Sequence, residues 1–331
     1  MGTILSTCQK GVSAIQDAAS FEQKTSQDLA RVSISEAVQE CWKLDKNRLR
    51  PNVDYVLNVQ SGKKPWWPED KASDPLFTKV NASIWKKPTF SAFRDLLDNY
   101  EAVVGQEENL NSQELAEIDR FLDSVMSTAP MKFCHAYCHS KDPENVSSDA
   151  TAFRKKLFEI WFKLYRRTRG GRNDSSGFDH VFVGEIRDGA ISGFHNWIRF
   201  YMEEKKGTID YRGYIKPKSK DESQADSNDH VLTLQFKWNL VSKDIGTMFI
   251  GVSPEFEFAV YTMCFLVGTG KNRVTLRTGT DVFEMDIVCH KVRTLRGAAL
   301  CQNNTSLRAD AWKQDRFRVP LCALPLRLVQ P

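Results

Sequence analysis

Apolar residues recur at three- and four-residue spacing through the first half of the chain, and at two-residue spacing or in short runs through the second. From Ser33-Ile34-Ser35 onward, Ala37, Val38, Cys41, Trp42 and Leu44 share one helical face, and Pro51 marks its end. The stretch 59–87 holds Gly62, Pro65, Trp66, Trp67 and Pro68 and reads as loop. Helices are predicted over about 90–102 and over 112–128, the second closed by Pro130, with a short one over 131–138. Another spans about 148–167, where Phe153, Leu157, Ile160, Trp161 and Leu164 fall at helical spacing. After Gly170-Gly171 the period changes. Strands are predicted over 178–186, 213–217, 231–239, 247–251, 273–278 and 281–289, with helices near 194–205 and 254–266. Helices first and strands afterwards is the α+β pattern, here a helical N-terminal half followed by a strand-rich half with antiparallel sheet. The expected division is a mobile segment over 1–27, one domain over 28–300 (helical part about 28–170, sheet part about 171–300) and a tail over 301–331.

Composition narrows this picture only a little. The chain has 331 residues, 41% of them hydrophobic, enough for a substantial core. The formal net charge of +4 permits a polyanionic partner without demanding one. No run of about 18 apolar residues occurs, so no transmembrane helix is expected. The start lacks the charged region and sustained apolar run of a secretory signal peptide. Eight cysteines are scattered without a small-domain disulfide framework, which fits free thiols in a reducing, intracellular and cytoplasmic setting. Met1-Gly2-Thr3-Ile4-Leu5-Ser6 fits an N-myristoylation pattern, and Cys8 is placed for a second acyl chain. The same residues also fit an unmodified tail.

The candidate chemistry centres on two histidines fifteen residues apart. His180 lies in Ser176-Gly177-Phe178-Asp179-His180-Val181-Phe182-Val183-Gly184-Glu185, and His195 in Ser192-Gly193-Phe194-His195-Asn196-Trp197. A single histidine in a strand is usually structural. Two of them on a strand, a turn and a helix start can face one phosphate from opposite sides, and the N–H groups of the helix end favour an anion. Imidazole titrates near neutral pH, so one ring can take a ribose 2′-hydroxyl proton while the other protonates a leaving 5′-oxygen. An ammonium group would stabilise the phosphoryl oxygens. Lys243 stands downstream in Ser242-Lys243-Asp244-Ile245-Gly246-Thr247; on its own residue type it is a turn lysine, and Thr247 an ordinary strand-entry residue. Glu185 and Asp179 flank the first histidine and can orient an imidazole, bind a cation, or serve as plain strand-end charges.

Other motifs carry less. Arg154, Lys155, Lys156, Lys163, Arg166, Arg167, Arg169 and Arg172 make a basic run that either tracks a phosphate backbone or is a solvated face. Cys134, His135, Cys138 and His139 resemble half a zinc site, but Met131, Cys134 and Cys138 read better as a core face. Gly268-Thr269-Gly270 lacks the lysine and serine of a phosphate-binding loop.

With these residues in view, the chain resembles the EndoU family of uridylate-specific endoribonucleases, eukaryotic relatives of the coronavirus uridylate-specific endoribonuclease. The resemblance runs over roughly 28–290. It includes Trp42-Lys-Leu-Asp-Lys-Asn-Arg-Leu49, Pro88-Thr-Phe-Ser-Ala-Phe-Arg-Asp-Leu-Leu-Asp-Asn-Tyr100 and Gly251-Val-Ser-Pro-Glu-Phe-Glu-Phe258, and is strongest at the two histidine segments. It implies His195 as general base on the 2′-hydroxyl, His180 as general acid and Lys243 as the third essential residue. It also implies Thr247 as a reader of the uracil edge, Glu185 as a supporting carboxylate and Asp179 as an acidic neighbour. Mn²⁺ or Ca²⁺ as cofactor, single-stranded RNA as substrate and 2′,3′-cyclic phosphate ends follow from the same resemblance. A monomer is expected.

The chain departs from the family at its end. Family members usually close on a strand carrying Ile-Gly-x-Ala-Tyr-Pro, whose tyrosine packs against the uridine. Here Leu295-Arg296-Gly297-Ala298-Ala299-Leu300 stands in its place, and no tyrosine follows Tyr261. Loss of such a stacking surface, worth about 1–3 kcal/mol per base, predicts weaker cutting or relaxed uridine preference. Two alternatives therefore accompany the nuclease reading: an RNA-binding protein with weak or lost cleavage, and a membrane-associated scaffold held by lipids at Gly2 and Cys8.

Overall fold

The computed structural model describes residues 26–166, 173–216, 228–279 and 281–289, and the backbone of three short strands beyond them. Gly2, Cys8 and most of the tail lie outside the described residues. Two helices, α1 (Ser26–Arg31) and α2 (Ile34–Leu44), open the described chain. Ser33 caps α2 in a reciprocal box with Glu36, and the predicted face Ala37, Val38, Cys41, Trp42 and Leu44 is buried. The helix stops at Leu44, well before Pro51, where the Asp45 backbone leaves helical geometry.

The stretch read as loop contains structure. β1 (Tyr55–Leu57) pairs antiparallel with β3 (Phe77–Val80), β2 (Gly62–Lys63) joins a larger sheet, and Ala82–Lys86 forms a 3-10 turn. Strands of two to four residues leave too few positions for a period to show. α3 (Pro88–Asp95) carries proline at its first turn and is shorter than predicted. α4 (Ser112–Met126) is boxed by Asn111 and Glu114. α5 (Ala129–Lys141) and α6 (Ala150–Trp161) complete the helical half.

The second half holds β4 (Glu185–Arg187), β5 (Ala190–Ser192), α7 (Trp197–Lys206), β6 (Ile209–Ile215), β7 (Val231–Trp238) and β8 (Val241–Phe249). Then come α8 (Pro254–Leu266), β9 (Lys271–Arg277) and β10 (Val282–Val288). The main sheet has strand order β2-β6-β7-β8, antiparallel except where β2 runs parallel to β6. β9 and β10 form a second antiparallel sheet, which Ser306–Ala309 extends. The fold is α+β, as the order of helical and strand periods requires. α8 is the keel between the halves. All its residues through Phe265 are buried, so it is apolar on every side except Glu255, Glu257 and Thr262. Phe258 packs edge-on against Phe121 of α4 and lies against Trp161 of α6, which joins the helical half to the sheet half.

Two sequence expectations fail where the site is built. Residues 179–183 form a π-helical turn, closed by the Gly184 N–H on the Asp179 carbonyl at 2.8 Å, so His180 is not on a strand. Residues 178–183 are buried throughout, and a wholly buried apolar run does not distinguish helix from strand. Lys243 lies within β8 and not in a turn ahead of it. The turn is Asn239-Leu240, both at positive φ, with Leu240 92% exposed at its tip. Among the described residues no helix is long and apolar enough to cross a membrane.

Candidate active site

The π-helical turn is what brings the two histidine segments together. Its wide winding leaves the His180 and Val181 carbonyls available, and they accept from the Phe194 N–H at 3.1 Å and the His195 N–H at 2.9 Å. The chain reaches these carbonyls through a left-handed pair, Gly193 at φ 65° and Phe194 at φ 62°. A side chain on residue 193 would land on the His180 carbonyl oxygen. Phe194 tolerates its strained backbone because its ring is fixed in the core against Phe236 and Trp238. Gly193→Ala is therefore expected to destabilise the fold by roughly 2–4 kcal/mol and to remove activity with it, read as a lowered melting temperature. Wild-type stability in that variant would show that the crossing is not rigid.

His195 sits one residue before Asn196, the cap of α7, rather than on the helix itself. The Asn196 side chain accepts from the Arg199 N–H at 2.9 Å and donates to Glu257 of α8 at 2.6 Å. An Asn196–Phe249 bridge ties this corner to β8. The same strand supplies the Thr247 carbonyl, which accepts from His195 Nδ1 at 2.9 Å. That bond places the ring proton on Nδ1 and leaves the lone pair on Nε2. Burial pushes the His195 pKa down to about 3, and the charge of Lys243 and the proximity of His180 push the same way. His195 is a neutral imidazole at working pH.

His180 is held by the opposite kind of partner. Its Nδ1 lies 2.7 Å from Glu185 Oε2, while Ser175 Oγ donates to Glu185 Oε1 at 2.5 Å. A carboxylate at that distance favours the imidazolium, the form with a proton to give. Ser192 Oγ approaches the same Nδ1 at 3.5 Å. Its neighbour Ile191 offers a carbonyl to Lys243 Nζ at 3.4 Å, so β5 spans from the first histidine to the lysine. Burial lowers the Lys243 pKa to about 8. His180, His195 and Lys243 are 3%, 4% and 9% exposed, which makes the site a narrow crevice.

The structure thus gathers His180, His195, Lys243 and Glu185. Thr247 contributes its carbonyl to His195, and its hydroxyl lies 2.9 Å from that of Thr233. Asp179 turns elsewhere: it is fully buried near Glu108 and Tyr100 on the helical side. Burial pushes Glu108 up to about 7. Ser175, Ser192, Glu108 and the Asn196–Glu257 pair had no signal in the sequence beyond the Ser-Ser-Gly turn. Of the basic run, Arg154 is bound by Asp119 and Asp123, and Arg167, Arg169 and Arg172 lie outside the described residues. Cys134 and Cys138 are buried core thiols, and His135 and His139 bond backbone carbonyls. Leu300 lies in a two-residue strand, Ala299–Leu300, whose side chains are outside the described residues.

Comparison with known proteins identifies the family. The Endoribonuclease XendoU family model matches residues 33–302. Uridylate-specific endoribonuclease B of Danio rerio is 46% identical over 264 residues, covering 78% of this chain and 90% of that protein. Poly(U)-specific endoribonuclease-B of Xenopus laevis is 41% identical over 287 residues, covering 83% of this chain and 96% of its own length. The solved structure of XendoU, described as a splicing-independent snoRNA processing endoribonuclease, superposes with a TM-score of 0.67 at 40% identity, over 78% of this chain and 92% of that one. With both histidine segments and the lysine strand inside the matched span, the chain belongs to the XendoU family of endoribonucleases.

Proposed function

We propose that this protein cleaves single-stranded RNA at uridylates by transesterification. His195 Nε2 takes the proton of the uridine 2′-hydroxyl, and the 2′-oxygen attacks the adjacent phosphorus. The bond from phosphorus to the 5′-oxygen breaks, and His180 gives that oxygen its proton. The products are a 2′,3′-cyclic phosphate and a 5′-hydroxyl, with no water consumed. The Lys243 ammonium stabilises the charge that grows on the phosphoryl oxygens. The single observation that carries this reading is the contrast between the rings: one bonded to a carbonyl and neutral, the other bonded to a carboxylate. Two titratable groups pushed apart by their surroundings are what acid–base catalysis needs. Uridine preference follows from the names of the relatives.

The resemblance implies Mn²⁺ or Ca²⁺ as cofactor. Among the described residues no group of three or more histidine, cysteine or carboxylate side chains is arranged to hold a metal ion, so no step is routed through one. The test is an RNA with a single uridine, incubated with Mn²⁺ or with a chelator. Cutting beside the uridine with a cyclic phosphate end is expected in the Mn²⁺ arm. Intact RNA in both arms with salt-dependent binding would replace this reading with RNA binding alone. Cutting that leaves 5′-phosphate and 3′-hydroxyl ends would overturn the transesterification.

A further inference from the structure

Away from the crevice, the loop 64–68, Lys-Pro-Trp-Trp-Pro, presents two indoles to solvent. Trp66 is 70% exposed and Trp67 41% exposed. Tryptophan ordinarily contributes its large apolar area to a core or an interface. The loop is nevertheless fixed from beneath. The buried Lys63 on β2 donates to the Glu69 carbonyl at 2.5 Å and to the Gln235 side chain on β7. Arg212 on β6 donates to the Pro68 carbonyl at 2.7 Å, and the Lys71 N–H donates to the Arg212 carbonyl at 3.2 Å. The Trp67 N–H closes the turn on the Lys64 carbonyl at 3.1 Å. Above this frame the Lys64 ammonium stands 5.7 Å from the centroid of each indole. Lys71 and Arg212 face carboxylates, Glu69 and Asp70, whereas no carboxylate pairs with Lys64 among the described residues.

Two held aromatic faces sharing one cation are the components of a single-strand nucleic-acid platform. Bases of any kind stack on the rings, and the ammonium meets the phosphate between them. We infer that the 64–68 loop is a stacking subsite for single-stranded RNA, separate from the cleavage crevice, that takes bases flanking the scissile uridine. This rests on the nuclease reading given above. β2 and β8 are the outer strands of one four-stranded sheet, so the loop's anchor and the strand of Lys243 are about 14 Å apart across the sheet. That is short against the footprint of about 4–16 nucleotides of known single-strand platforms. A bilayer is the poorer occupant. Interfacial insertion needs a continuous apolar face, and here only the two indoles and two prolines stand between Lys64 and the acidic Glu69-Asp70 pair.

The test compares wild type with Trp66→Ala/Trp67→Ala on a uridine-containing dinucleotide and on a single-uridine RNA of about 20 nucleotides. The expected result is about a tenfold higher KM on the long RNA, an unchanged kcat, and unchanged kinetics on the dinucleotide. Equal KM values on the long RNA overturn the inference, as does loss of binding to phosphatidylserine vesicles without any change in RNA kinetics. Should the double variant melt early, Trp66→Ala alone carries the same comparison. If the wild type cuts neither RNA, the nuclease reading fails separately. The subsite is then read from binding of the same long RNA with a 2′-deoxyuridine, where about tenfold weaker binding by the variant supports it and equal binding overturns it.

Discussion

On the proposed mechanism His195→Ala is expected to lower kcat for uridylate cleavage by about a thousandfold, and the wild-type protein is expected to leave intact an RNA whose single uridine lacks the 2′-hydroxyl. Both results follow from one geometry. The His195 Nδ1 proton is committed to the Thr247 carbonyl at 2.9 Å, so only Nε2 can accept a proton. Burial and the neighbouring Lys243 charge keep that nitrogen unprotonated down to about pH 3 in the free protein. A bound phosphodiester adds negative charge, which offsets the lysine and makes the ring a stronger base once substrate is present. The alanine variant removes the base while sparing the local fold, because the His195 N–H to the Val181 carbonyl is a backbone bond. Single-turnover rates with both RNAs measure the effect, and circular dichroism shows that the variant is folded. A variant within threefold of wild type would mean that another group takes the proton. Cutting of the deoxy RNA would mean that the attacking oxygen is not the ribose's own.

The architecture was readable wherever an element was long enough to show a period. The face of α2 and both bounds of α8 agree with the pattern of apolar positions, since each helix commits a stripe or its whole surface to the core. The residues of the site were readable as types, because imidazole, ammonium and carboxylate are scarce and carry their chemistry in their names. Their geometry was not. Nothing in Phe178–Val183 announces a π-helical turn, because every residue of the run is buried and no exposed polar face reveals a helical period. The partners that set each ring's protonation are equally silent. Ser175, the Thr247 carbonyl and the Ile191 carbonyl act through position, and a main-chain oxygen has no sequence signature. Asp179 misleads for the complementary reason: adjacent in sequence to His180, it points to Glu108 on the other side of the turn.

Lys243 gives the second large effect and the sharper pH signature. Burial of its ammonium lowers the pKa to about 8, against an ordinary 10.5. Below about pH 8 the group is charged and can meet the developing phosphoryl charge. Above it the group is a neutral amine, so kcat/KM falls on the alkaline side with a limb near pH 8. Lys243→Ala is expected to lose about 10²–10³-fold in kcat, the usual effect of removing one donor aimed at a growing anion. The variant also tests proximity to the base. The Lys243 charge helps to depress the His195 pKa, so its removal raises that pKa and moves the acid limb of kcat/KM to higher pH. Lys243→Arg keeps a charge at every accessible pH, so its alkaline limb near pH 8 should weaken even if its rate drops through misfit in a crevice where the lysine is 9% exposed. A structural lysine that only fills the crevice between β5 and β8 would change stability and move neither limb. Both limbs holding still in Lys243→Ala would therefore remove the ammonium from the site, while a shift of the acid limb alone would keep it as a neighbour of His195 and deny it the phosphate.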